Sequence, residues 1–199
     1  MASRAFRHAS DARVRSRRGT PARGCAEFFG ELPSHLPAGR NGSPRTTQHQ
    51  EMEQIASARG RRLWSGRLAR PFAFRSPVPG EYALLLVVLA EDVTPEEQGR
   101  LSEEFVRSGC RYAVCFGPTS SSWDDSIDWV RIDDELEGRD TPFVMTTWHD
   151  KESLEDTVHF FAHNMRVDDR LATEYVALLI GGDSRDEEEL RQLLLSHFS

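Results

Sequence analysis

Tyr82-Ala83-Leu84-Leu85-Leu86-Val87-Val88-Leu89-Ala90 is a run of nine residues whose one polar group is the tyrosine hydroxyl. A strand with one wet face alternates apolar and polar residues. A run without alternation is buried on both faces, as in a parallel sheet covered by helices. Nine residues are too few to cross a bilayer. The acidic, turn-like Glu91-Asp92-Val93-Thr94-Pro95 follows at once. The run therefore reads as the first, central strand of a small α/β domain.

Downstream of it, strand and helix patterns alternate. A helix is predicted from Pro95 to Ser108, with Leu101, Phe105 and Val106 inward and Gly109 ending it. A strand, Arg111–Phe116, leads through Gly117-Pro118 and a polar loop to a helix over Trp123–Leu136. The third strand is Phe143–Trp148, and its helix runs Leu154–Met165 with Leu154, Val158, Phe161 and Met165 on one stripe. A polar connection precedes the fourth strand, Tyr175–Ile180, and a last helix covers Asp186–His197. Such alternation implies right-handed crossovers and a parallel sheet. The expected architecture over residues 81–199 is a small doubly wound α/β domain, Rossmann-like or flavodoxin-like. Its four-stranded, mostly parallel sheet carries helices on both faces. The expected strand order is 2-1-3-4, with Tyr82–Ala90 beside Phe143–Trp148.

The chain ahead of this domain differs in charge. Residues 1–79 hold 15 arginines against 5 acids, and residues 80–199 hold 10 basic against 27 acidic residues, a net of −17. Residues 1–60 read as a disordered, arginine-rich segment. Three explanations are open for it: a transit peptide, a nucleic-acid-binding arm, or an upstream extension of a protein that starts at Met52. Over residues 61–80 three prolines, with Gly60 just ahead and Gly66 within, deny a long helix, so an extended strap is expected, with Trp64, Phe72 and Phe74 laid against the domain. Lys151 is the single lysine against 24 arginines. Cys25, Cys110 and Cys115 have neither disulfide-framework nor CxxC spacing, which fits a reducing, cytoplasmic setting. No apolar signal segment opens the chain.

Ligands of open α/β sheets bind beyond the carboxyl ends of the strands. The loops there carry Glu91, Asp92, Trp148, His149, Asp150 and Asp183, the candidate edge site. Helix capping competes for the same acids, because helix N-termini attract oxygen acceptors. Thr94 with Glu97 and Pro95 forms a capping box, and Ser122/Asp125, Ser153/Asp156 and Ser184/Glu187 repeat the spacing. Neither GxGxxG nor GxxxxGK[ST] occurs, so a nucleotide loop is not indicated. If strands one and three are neighbours, Glu91 and Asp92 with Asp150 and Glu152 are placed to gather oxygen ligands for Mg²⁺, Asp92 and Asp150 first among them. This layout resembles the acidic pockets of response-regulator receivers and toprim nucleases. A receiver's acid pair and phospho-acceptor would fall on Glu91, Asp92 and Asp150, while its lysine has no counterpart.

Cys115 near a strand end reads as a buried thiol rather than a nucleophile. His159 and His163 stand four apart on one helix, a zinc-compatible spacing with no third ligand nearby in sequence, so they read as an exposed face. Trp123, Asp124, Asp125 and Trp129 form an aromatic and acidic segment of the kind that partner-binding patches use. Trp123–Trp129 and Thr146–Asn164 resemble uncharacterised bacterial α/β proteins of unknown function. That resemblance covers the last 120 residues and implies no activity.

The leading expectation is a cytoplasmic, non-enzymatic interaction or regulatory domain, without a cofactor, whose acidic surface attracts a basic protein partner. The alternative is a Mg²⁺-dependent hydrolase or receiver-like phospho-acceptor built on Glu91, Asp92 and Asp150. A membrane is not an expected partner, and nucleic acid is expected only for the arginine-rich lead.

Overall fold

The computed structural model describes residues 52–198. The expectations for residues 1–51 lie outside them. Two strands, β1 (Glu53–Ala58) and β2 (Arg61–Leu68), come first, followed by β3 (Tyr82–Val88), α1 (Pro95–Arg107), β4 (Cys110–Phe116), α2 (Ser120–Leu136) and β5 (Met145–His149). Then come α3 (Leu154–Asn164), the short β6 (Arg166–Val167) and β7 (Arg170–Leu171), β8 (Glu174–Ile180) and α4 (Ser184–Phe198). The main sheet has six strands in the order β1-β2-β8-β3-β4-β5, and β6 and β7 form a separate hairpin. Only β1 runs antiparallel to its neighbour; the β2–β8, β8–β3, β3–β4 and β4–β5 pairs are parallel.

Every residue of β3 is buried, and so are six of the seven in β8. Their side chains alternate between two cores. Leu84, Leu86, Val88, Val176, Leu178 and Ile180 meet α1 and α2 through Leu101, Phe105, Trp123 and Ile127. Leu85, Val87, Ala177 and Leu179 meet α3 and α4 through Val158, Phe161, Leu190 and Leu194. The topology explains the division. The chain steps one way from β3 to β4 to β5, and α3 then returns it past β3 to β8. Right-handed crossovers that travel in opposite directions lie on opposite faces.

Three expectations are corrected. The sheet has six strands, not four, because residues 53–68 form a β-hairpin turned at Arg59-Gly60, both with positive φ as a two-residue hairpin requires. Thus 53–60 is ordered structure, and the strap is confined to the residues after Leu68. There Phe72, Phe74 and Val78 are buried, with the Phe74 ring edge-on to Phe105 at 5.0 Å. In the order expected as 2-1-3-4, Phe143–Trp148 lay beside the first strand. In the structure β8 and β4 flank β3, and β5 is the terminal strand. Its Thr146 and Thr147 are half-buried while Trp148 is exposed, which suits an edge rather than a centre. Finally, α2 begins at Ser120, so Ser122 lies inside it, and its N-cap Thr119 makes no side-chain cap.

Candidate functional site

The switch point of this sheet lies where β3 and β8 send their connections in opposite directions, and a ligand crevice is expected outside their ends. That position is closed by backbone. Leu89 and Ala90 donate their N–H groups to the Ile180 carbonyl at 2.9 and 3.1 Å. A Cβ on Gly181, at φ +81°, would lie 2.6 Å from the Ala90 nitrogen, so only glycine permits the approach. Arg67 covers the turn by donating to the Gly182 carbonyl at 2.6 Å.

The acids at this edge hold helices and strands in place. Arg70 reaches Asp92 at 2.8 Å and Glu97 at 2.9 Å. Glu97 closes the capping box with Thr94. The Arg70 hydrogen bond, aided by the Thr94 N–H, brings its carboxyl down to about 2. Asp183 caps α4: its Oδ1 accepts from Arg185 N–H at 2.7 Å and Asp186 N–H at 3.1 Å, while Asp186 Oδ2 accepts from Asp183 N–H. The box expected at Ser184/Glu187 therefore sits one residue earlier. Those backbone donors hold the Asp183 carboxyl below its ordinary value. Ser153 caps α3 through Asp156 N–H. Glu91 and Asp150 are exposed.

The structure does not gather the expected edge site. Asp92 follows β3 and Asp150 follows β5, and β4 lies between, so the two strand ends are about 10 Å apart at ordinary strand spacing. His149 turns away from Asp150. It is buried, its ring packs 5.1 Å from that of Phe160 on α3, and it meets Thr147 Oγ1 at 3.2 Å and Glu152 at 3.3 Å. Trp148 points the other way, to the α2 face.

The four residues of the aromatic and acidic segment also separate. Trp123 is core, 1% exposed, whereas Trp129 is 59% exposed and Asp125 lies on the surface. Asp124 is buried, and burial raises its carboxyl above the ordinary value. Cys115 is fully buried, and burial drives its thiol well above the ordinary value, so it is no nucleophile.

What the structure does bring together is apolar surface. Trp129, Ile132 and Leu136 are exposed at i, i+3, i+7 on α2, Phe143, Met145 and Trp148 are exposed on β5 and the residues leading into it, and Ile132, Phe143 and Met145 meet at one groove. These are six of the eight large exposed hydrophobic residues among the described residues. A groove of about 250 Å³ runs between α2 and β5, lined by Ile127, Asp128, Ile132, Phe143, Met145 and Thr146. Arg131 lies over the Phe143 ring at 5.2 Å, and Thr146 donates to Asp128 at 3.2 Å. Sequence inspection found Trp129 and Trp148. It missed Ile132 and Leu136, which continue the i, i+3, i+7 stripe of Trp129 on α2, and Phe143 and Met145 at the start of β5.

Fold and surface together define an α/β domain with a closed switch point and an apolar edge. Residues 66–197 match the family model described as Domain of unknown function (DUF7684), and the chain belongs to that family. A comparison with curated proteins finds no match. Among solved structures, the murein peptide ligase Mpl of Psychrobacter arcticus 273-4 is similar over 59% of this chain and 22% of that one, at 11% identity and a TM-score of 0.37. The chain thus spans about a fifth of that ligase's length. Among the described residues no helix is long and apolar enough to cross a membrane.

Proposed function

We propose that this is a protein-interaction domain, acting in the cytoplasm, that takes an extended, basic segment of a partner protein onto the outer edge of β5. One observation carries the reading: a groove between α2 and the sheet's terminal strand gathers Ile132, Phe143 and Met145, three of the eight large exposed hydrophobics among the described residues, and a fourth, Trp148, stands exposed on the same strand. Single exposed apolar side chains are ordinary, but a cluster of them marks an interaction site. An edge strand presents unpaired backbone N–H and C=O groups that accept an added strand, and flanking side chains select its sequence. Among the described residues, β5 is such an edge.

Charge supports a basic partner over a second copy of this chain. The α2 helix carries six acids and one arginine. Two copies joined through β5 would bring two such helices together, whereas arginines or lysines flanking a bound strand would meet them with opposite charge.

Panning a random peptide display library against the full chain tests this. Enriched sequences are expected to alternate apolar with basic residues and to bind at least about 30-fold more weakly to Phe143→Ala or Trp148→Arg, the loss of about 2 kcal/mol that marks a hot spot. Peptides that bind these variants as well as the parent overturn the reading. So does a stable dimer that Trp148→Arg dissociates, because the second copy is then the occupant.

A further inference from the structure

On the other face of the sheet, three histidines from two helices converge. His159 and His163 are one turn apart on α3, and His197 lies in the last turn of α4, 34 residues further along. One ring nitrogen from each lies within 4.8 Å of the others. The ring centroids are 4.6, 5.2 and 5.6 Å apart. His159 and His163 are exposed and His197 is half-buried. We propose that His159, His163 and His197 form a Zn²⁺ site with three protein nitrogens and a fourth position open to solvent.

The donor chemistry selects the metal class. Imidazole nitrogens suit Zn²⁺ and its transition-metal neighbours, whereas Mg²⁺ and Ca²⁺ take oxygen. Tetrahedral zinc with Zn–N bonds of 2.0–2.1 Å sets its ligand nitrogens about 3.3 Å apart. The observed limit of 4.8 Å leaves at most about 1.5 Å to close, within reach of χ rotations at rings on the surface. Three histidines and one open position is the ligand composition of zinc centres that bind a water or an exchangeable ligand, rather than of closed structural sites.

The fold also favours a cation here. Both helices follow parallel strands and return antiparallel to them, so α3 and α4 run side by side and their C-terminal ends meet. Those ends carry the negative poles of the helix dipoles. Arg61 on β2 already exploits this, donating to the carbonyls of Ala162 at 2.7 Å and His197 at 3.5 Å. Its guanidinium is held over the Phe198 ring at 4.8 Å. That positive charge tempers the affinity for a dication.

Isothermal titration of ZnCl₂ into the full, untagged, metal-free chain tests the site, with the thermal midpoint followed in parallel. One equivalent of Zn²⁺ is expected to bind and to raise the midpoint, with MgCl₂ giving neither effect. His159→Gln, His163→Gln and His197→Gln are each expected to weaken binding at least about 10-fold, and the exposed rings of His159 and His163 make those two variants safe for folding. The variant with His8, His35 and His49 all changed to Gln is expected to bind as the parent does. The d–d absorption of Co²⁺ is expected to report a tetrahedral ion in the parent and in that triple variant, and to be lost in His159→Gln, His163→Gln and His197→Gln. Zinc binding that survives His163→Gln, or that disappears with His8, His35 and His49, overturns the proposal.

Discussion

Replacing Gly181 by alanine tests whether the sheet's switch point is closed as described. Gly181 has φ +81°, and a Cβ there meets the Ala90 nitrogen at 2.6 Å and the Ala90 Cβ at 2.8 Å. Gly138, after α2, has φ +73° and nothing within 4 Å of its would-be Cβ. The two positions share a backbone cost and differ in crowding. An L residue in the left-handed region costs about 1–2 kcal/mol, and restriction of the unfolded chain returns about 0.4–1 kcal/mol. Gly138→Ala is therefore expected to destabilise by about 0–1.5 kcal/mol. Gly181→Ala must in addition part the β3 and β8 ends and strain or break the bonds from Leu89 and Ala90 to the Ile180 carbonyl. At about 0.5–1.5 kcal/mol for each bond, the extra loss is about 1–3 kcal/mol. Urea denaturation of both variants and the parent reads this as a lowered midpoint at unchanged slope. A difference between the two variants below about 0.5 kcal/mol would mean that the strand ends are not in contact, and the crevice would again be open to a ligand.

Two carboxylates are expected to shift stability with pH in opposite senses, and two thiols to stay hidden. Hydrogen bonds from Arg70 and then Thr94 lower Glu97 from 4.5 to about 2, so its contribution is present above 4.5 and lost as pH falls toward 2. Unfolding free energy measured against pH is expected to fall less steeply across that window in Glu97→Gln; an unchanged slope refutes the Arg70 pairing. Asp124 is raised above 3.8 chiefly by burial, so the stability it allows is present below 3.8 and lost as pH rises through its folded value. Asp124→Asn is thus expected to gain on the parent near neutrality relative to acid, and a constant difference across pH refutes the burial account. Burial pushes Cys110 up to about 12 and Cys115 well above its ordinary value. Peptide mapping after alkylation is expected to find both modified only in denaturant, and rapid modification of either in the native chain would contradict their burial.

How far the sequence could be read follows from which interactions are local. The run Tyr82–Ala90 announced a strand buried on both faces, and β3 is buried throughout. The capping boxes were legible because a cap and its partner are three residues apart, although Asp183, an equally good acceptor, took the place of Ser184. The hairpin at 53–68 escaped notice because its arginines, at Arg61, Arg62 and Arg67, read as a continuation of the basic lead. In the structure Leu63, Gly66 and Leu68 are buried in β2 between those charges, and Arg62 pairs with Glu174 across the sheet.

Strand order was the consequential error, and composition held a clue to it. The all-apolar Tyr175–Ile180 matches Tyr82–Val88 and belongs beside it at the centre. Met145-Thr146-Thr147-Trp148-His149, the observed form of the strand expected at Phe143–Trp148, carries two threonines and a histidine and belongs at the rim, where its Thr146 hydroxyl meets Asp128 and its Trp148 meets water. Moving β5 from the centre to the edge has two effects on function. It separates Asp92 from Asp150, which removes the geometry that a shared metal ion needed. It also frees a strand edge and leaves Met145, with Phe143 ahead of it, at the groove shared with Ile132 of α2. The three histidines follow the same logic in reverse: α3 and α4 become neighbours only because the chain returns past β3, so a ligand 34 residues away in sequence arrives within one ion's reach of His159 and His163.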